Sequence, residues 1–303
     1  MLISIIITCY NHKEYIKDTL NSIINQTFSD WEIFIWDDSP NNESWDIIQE
    51  FVDKYPDKIH AWHNNPSKWI VWNMKFLLSH ISNKSEYVAF LEWDDVYLPN
   101  NLSEKIKIFQ KYPDVKLVYN ESSCIDKNWK IIMKKFLKHY WCKYFYKNEK
   151  VKLTDLLCGL MPIYSSWSSI MCRTDCIKKY DITIPNSNKN LISDFIFFAN
   201  VSSNESVYWL SNPLTLYRMH DNNISRSVNN TLCDDLITFW QYLYSLKLID
   251  KNTLSKVKIK SYITLFFSFL RKSLINFGLW FKENFLYALK VFISKIYYTL
   301  KLR

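Results

Sequence analysis

Short apolar runs of strand length alternate with amphipathic helical segments through the first third of this chain, and that alternation limits its possible folds more than any other feature. Residues 2–8 are continuously apolar and largely β-branched, as in a strand buried on both faces of a parallel sheet. The run stops at Cys9-Tyr10-Asn11. Ile16, Leu20, Ile23 and Ile24 then fall at helical spacing, and residues 32–36 form a second run ending at Asp37-Asp38. Ile47, Ile48, Phe51, Val52 and Tyr55 mark another helix, residues 70–81 a third, and residues 87–91 a buried strand running into Glu92-Trp93-Asp94-Asp95.

This order predicts an α/β fold, a mostly parallel sheet flanked by helices, and such sheets bind ligands beyond the carboxyl ends of their strands. Thr8-Tyr10-Asn11, Asp37-Asp38 and Asp94-Asp95 all stand at such ends and converge on one edge. Further on, residues 115–119 and 169–172 read as strands, 191–201 as a helix carrying Asp194, and 208–217 as an extended segment. From Leu232 the helical period dominates, with residues 225–230 as the linker.

Composition removes several classes. With 48% hydrophobic and 22% charged residues in 303, the chain is neither disordered nor collagenous. Its net charge of +8 suits an anionic partner, but the ligand edge is acidic, which argues against nucleic acid. Seven cysteines show no CxxC pair and read as reduced core residues of a cytoplasmic protein. His60 and His63 are spaced for a helix face and read as surface residues. The anomaly is 2 glycines beside 13 tryptophans, where average usage would give roughly 21 glycines.

Two adjacent carboxylates at the end of a buried strand are unfavourable without a positive partner. Mg2+ or Mn2+ answers this, since either binds through one or two carboxylates plus substrate phosphates. The alternative is that Asp94 and Asp95 only open a turn before Pro99 or cap the helix near Asn101.

The stretch SIIITCYNHKEYIKDTLNSIINQTFSDWEIFIWDDSP, followed by YVAFLEWDDVYLPNNL, resembles the N-terminal half of family 2 inverting glycosyltransferases of the bacterial cell-surface glycan type. The resemblance implies the GT-A nucleotide-sugar-binding fold over residues 1–225, with 226–303 as a helical C-terminal extension. It further implies that Thr8, Tyr10 and Asn11 line the nucleotide pocket, with Tyr10 near the base and Asp38 hydrogen-bonded to it. Asn73 would stand near the sugar, Asp94 near the ribose, and Asp95 would be the metal ligand.

Inverting transfer needs a base to take the acceptor hydroxyl's proton. Asp194 stands in the matching region as the candidate, with Asp181 and Asp175 as rivals and a helix-capping role as the alternative. Tyr217-Arg218-Met219-His220 resembles the family's closing segment, in which Arg218 meets the diphosphate and His220 completes the metal shell.

Trp36, Trp69, Trp72, Trp93, Trp129, Trp167 and Trp209 stand where relatives with these motifs carry glycine or another small residue. Either UGA is read as glycine in the source lineage, or the chain is a Trp-rich protein that stacks on sugars. Residues 261–303 mix aromatics with lysine and arginine, and are either a peripheral anchor at the inner face of the cell membrane or helices packed on the main domain.

Together these features predict a cytoplasmic enzyme. It would transfer a sugar from a nucleoside-diphosphate donor, UDP first among the nucleotides, to a hydroxyl of a polysaccharide, lipopolysaccharide or lipid-linked glycan acceptor. A polyprenyl-phosphate glycosyltransferase and a non-catalytic glycan-binding module are the alternatives.

Overall fold

β1 (Leu2–Cys9) is buried along almost its whole length because its apolar, branched side chains serve both faces of a sheet. The computed structural model describes residues 1–11, 13–63, 70–136, 149–151, 166–183, 192–220, 223, 230–252 and 254–255. In it β1 pairs in parallel with β2 (Trp31–Asp37) on one side and β4 (Ser85–Phe90) on the other. β2 in turn pairs in parallel with β3 (Ile59–His63). α1 (Lys13–Ile24), α2 (Glu43–Lys54) and α3 (Ile70–His80) make the connections. Alternate residues of β1, Ile3, Ile5 and Ile7, share a core with Ile16, Leu20 and Ile23 of α1, where the period of two meets the helical period.

The remaining strands are β5 (Val96–Tyr97), β6 (Val115–Ile125), β7 (Ile131–Met133), β8 (Glu149–Val151), β9 (Ile170–Arg173) and β10 (Ser206–Arg218). The sheet order is β3-β2-β1-β4-β9-β6-β10-β5, with β7 on β6 and β8 on β10. The sheet is mixed, because β9 inserts between β4 and β6 and runs against both. Two reversals restore the direction, so β6 and β10 point the same way as β1, β2 and β4. The carboxyl ends of β1, β2, β3, β4, β6 and β10 therefore lie along one edge. α4 (Asn101–Lys111), α5 (Thr174–Lys179), α6 (Ser193–Asn204) and α7 (Asn230–Ser245) complete the helices among the described residues.

The chain divides into two compact units, Met1–Ile182 with Phe197–His220, and Thr183–Ile196 with Asp221–Arg303. The first contains the sheet. In the second, Phe195 and Phe239 approach with ring centroids 6.2 Å apart, and Phe239 and Trp240 are buried. Residues 256–303, with all of the expected membrane-facing tail, lie outside the described residues, as do Trp69 and all of the expected linker but Asn230. No described helix is long and apolar enough to cross a membrane.

His60 and His63 need correction. They lie in β3 and not on a helix, and both are half-buried. A separation of three residues fits a helix face, but the alternation Ile59, Ala61 also fits a strand, and pairing with β2 settles it in favour of the strand.

Candidate active site

At the edge where β1 and β2 end, the two chains are tied together. Asp38 donates its backbone N–H to the Cys9 carbonyl at 2.9 Å, and the Asn11 N–H donates to Ser39 Oγ at 2.8 Å. Asn11 takes φ 57°, a left-handed conformation that asparagine tolerates better than most residues. Asp37 is fully buried, and its Oδ1 accepts from both the N–H and the hydroxyl of Ser39. Burial raises its carboxyl above the usual range, opposed by those bonds and by His63, whose Nε2 lies 3.9 Å from Asp37 Oδ2. Thr8 and Asp38 are buried, and Tyr10 is exposed. Asn73, in the first turn of α3, is buried behind this edge.

The second cluster forms where the chain leaves β4. Residues 92–95 make a turn closed by the Asp95 N–H on the Glu92 carbonyl at 3.1 Å. Thr19 of α1 pins it, its hydroxyl 2.9 Å from the Trp93 carbonyl and 2.8 Å from that of Asp95. Arg218, at the end of β10, binds the same turn. Its N–H donates to Asp95 Oδ1 at 2.9 Å, its Nε to the Asp94 carbonyl at 2.9 Å, and its Nη2 reaches Asp18 Oδ2 at 3.4 Å. The guanidinium lies 4.6 Å from the rings of both Tyr15 and Trp129, and Arg218 has no exposed surface. His220 Nε2 meets Asp94 Oδ2 at 2.9 Å, with the Tyr15 ring 5.3 Å and the Trp93 ring 5.8 Å from the imidazole.

Charge is concentrated here against its natural tendency. Burial pushes the Asp94 carboxyl upward, opposed by His220 and Arg218. Asp95 is driven well above the carboxylate range, by burial first and by the adjacent Asp94 second, with Ser168 and Arg218 pulling the other way. Its Oδ2 is buried with no hydrogen-bond partner among the described residues. A buried acceptor in that state is an incomplete site, because an unmet polar atom away from water is costly.

Known proteins give the cluster its context. The model of the Glycosyl transferase family 2 matches residues 4–175, more than half of the chain. The chain belongs to glycosyl transferase family 2. An uncharacterized glycosyltransferase of Nostoc sp., alr2836, is 37% identical over 133 residues, which are 44% of this chain and 40% of that protein. The UDP-Glc:alpha-D-GlcNAc-diphosphoundecaprenol beta-1,3-glucosyltransferase WfaP of Escherichia coli is 35% identical over 109 residues, 36% of this chain and 41% of that protein. The chain thus spans less than half the length of these relatives. The crystal structure of S. aureus TarS 1-349 in complex with UDP superposes with a TM-score of 0.64 at 18% identity, covering 98% of this chain and 81% of that one. The fold is GT-A.

For a family 2 chain the donor set is suited to a hard cation. Asp95 Oδ2 is unmet, the Asp94 carboxylate is adjacent, and Mg2+ or Mn2+ takes its remaining oxygens from phosphates and water. Among the described residues no three histidine, cysteine, aspartate or glutamate side chains form a complete metal cage, so an ion here would depend on substrate oxygens. His220 spends Nε2 on Asp94, and ligation through that nitrogen would require breaking this bond.

Of the expected residues, Thr8, Tyr10, Asn11 and Asp38 come together at one part of the edge, and Asp94, Asp95, Arg218 and His220 at the other. Asp194 belongs to the second unit. It sits in the first turn of α6, where Oδ1 accepts the Phe195 N–H at 2.9 Å. Its rival Asp181 pairs with Lys75 at 3.1 Å, and Asp175 pairs with Lys116. Sequence reasoning missed Tyr15, Asp18 and Thr19, although their spacing puts them on one side of α1 just beyond a polar strand end. It also favoured Asp38 over Asp37, the more deeply buried of the pair.

Proposed function

We propose that this chain is an inverting, metal-dependent glycosyltransferase, moving a sugar from a nucleoside-diphosphate donor, UDP in the first instance, to a hydroxyl of a polysaccharide, lipopolysaccharide or lipid-linked glycan. The observation that carries the reading is the buried Asp94-Asp95 turn with its unmet Asp95 Oδ2 on the strand-end edge. The UDP-Glc-dependent transfer of WfaP to a diphosphoundecaprenol-linked sugar and the UDP bound to TarS support donor and acceptor class. Thr8, Tyr10, Asn11 and Asp38 take the nucleoside, Asn73 the donor sugar, and Asp94 the ribose side. A bound Mg2+ or Mn2+, held by Asp95 with His220, supplies positive charge at the departing diphosphate. Arg218 holds both aspartates in place and adds its own charge nearby. Asp194 accepts the acceptor hydroxyl's proton as that oxygen attacks the anomeric carbon opposite the leaving group. The enzyme acts in the cytoplasm, at the inner face of the membrane when its acceptor is lipid-linked.

Calorimetry with UDP tests the reading. Binding is expected in Mn2+ and is expected to fall at least tenfold in chelator, since two anions in one buried site repel. The Asp95→Asn variant should show the same loss in Mn2+ while keeping its melting temperature. Equal affinity in chelator overturns the metal role.

We also propose that glycine is the native residue at several tryptophan positions, through UGA recoding. Trp129 supports this. Its N–H closes a turn on the Asp126 carbonyl at 3.1 Å, and its φ of 65° fills the left-handed position that follows a type I turn in a three-residue hairpin loop, a place suited to glycine. The Trp129 indole also covers the Arg218 guanidinium, and the Trp93 indole stands beside His220. Glycine at both would open the Arg218 guanidinium and the His220 imidazole to an anionic donor. Trp36 adds a buried indole N–H with no partner among the described residues.

A further inference from the structure

The β6–β7 hairpin carries an exposed surface that the transfer chemistry does not use. Ile131 and Ile132 are 54% and 47% exposed, although both sit in β7. The β6–β7 pairing shifts register between Cys124 and Ile125, opposite these residues, and the irregularity leaves two successive isoleucines exposed where an ordinary edge hairpin buries one. Around them lie Lys127, Lys130 and Lys134, all exposed, and the half-buried Lys135, whose Nζ donates to the Ser211 carbonyl. The one acid in residues 125–136, Asp126, is used internally, its Oδ1 accepting the N–H groups of Asn128 and Lys130.

We propose that this hairpin docks the protein on an anionic lipid surface, with Ile131 and Ile132 entering the interface and the lysines meeting the headgroups. Two features select that occupant. The charge is of one sign across residues 127–136, matching an anionic leaflet. Two adjacent exposed isoleucines in a three-residue strand, with exposed lysines before and after them, make an apolar tip with a basic rim, which suits entry between anionic headgroups. The surface is independent of Trp129, since the isoleucines and lysines are unchanged if that residue is glycine. It uses none of residues 256–303. The hairpin's root adjoins the candidate site, because Ile125 pairs with Arg218. On the transferase reading, a bilayer held here would present a lipid-linked acceptor beside Asp94 and Asp95.

Co-sedimentation of the full chain with phosphatidylglycerol vesicles, without donor, tests the docking separately from the transferase reading. Phosphatidylcholine vesicles are the comparison. The protein should pellet with the anionic vesicles only. The Ile131→Ser/Ile132→Ser variant should bind about tenfold or more weakly. Lys127→Gln/Lys130→Gln/Lys134→Gln should lose on the order of a hundredfold. Unchanged binding in both variants overturns the proposal and puts any membrane contact elsewhere in the chain. Equal binding to phosphatidylcholine overturns the role of charge. A dimer in solution that the isoleucine variant abolishes assigns the face to a second copy of the chain instead.

Discussion

Asp95 and Arg218 define the site between them at the level of single residues. The sequence makes Asp94-Asp95 conspicuous because the two acids are adjacent and follow an apolar run. It does not disclose that Arg218 grips that turn through its backbone and its guanidinium, nor that Asp18 reaches Arg218 across 200 residues of sequence. Such contacts come from strand order, which local pattern does not encode. Asp194 was readable only as an acid near a helix start, and its position there serves equally to accept a first-turn N–H. Replacement separates the roles. Asp194→Asn is expected to leave UDP binding intact and cut transfer by ~10²–10⁴-fold, the usual span for a lost general base; undiminished transfer in a rate assay moves the base to another residue. Trp129 makes its own prediction. A left-handed tryptophan is strained by roughly 1–2 kcal/mol, against about 0.5–1 kcal/mol for an indole over a guanidinium. Trp129→Gly should therefore melt no lower than the parent, and with Trp93→Gly it should bind UDP more tightly. Peptides from the native cell should carry glycine at 129. Tryptophan there, with a UGG codon, contradicts recoding.

Whole elements were legible where they were long and periodic. β1, β2 and α1–α3 fall within a few residues of expectation because each repeats its apolar period enough times to be distinguished from chance. β5 and β7 have two and three residues, too few to show any period, and exist because a neighbouring strand offers free backbone groups. α4 contains a feature that periodicity misreads. Lys105 lies on its buried face with no exposed surface, 5.5 Å from the Tyr97 ring, and its Nζ has no hydrogen-bond partner among the described residues. Burial drives its amine well below the usual lysine value, so the folded state gives up this proton at a lower pH than the unfolded chain does. Stability at this position is thus diminished at neutral pH and recovers as pH rises toward the unfolded lysine value near ~10.4. Lys105→Met should stabilise the protein by about 1–3 kcal/mol at pH 7, and its advantage over the parent should shrink toward pH 10. Chemical denaturation at the two pH values measures both. An advantage that is absent at pH 7, or that grows with pH, contradicts an amine whose proton is held less tightly in the fold.

At the scale of the molecule, the order of strands gathers six carboxyl ends on one edge, and the groups of greatest chemical interest stand there, from Thr8 to His220. Alternation predicted the edge correctly. It could not predict that β9 would enter the sheet antiparallel between β4 and β6, because that placement depends on the return of the chain from a distant segment. The net charge of +8 and the lysines at the β6–β7 hairpin suit an anionic surface, while the acidic turn suits a cation-bridged diphosphate. Release of nucleoside diphosphate from a panel of nucleotide sugars, measured in Mn2+ with a bacterial membrane fraction as acceptor, tests the transferase function most directly. At least one donor should be turned over, with Asp95→Asn slower by a hundredfold or more, on the order of what removing a key charge-stabilising group costs. Donor binding without release from any sugar nucleotide, or release undiminished in Asp95→Asn, would contradict a transferase centred on this turn.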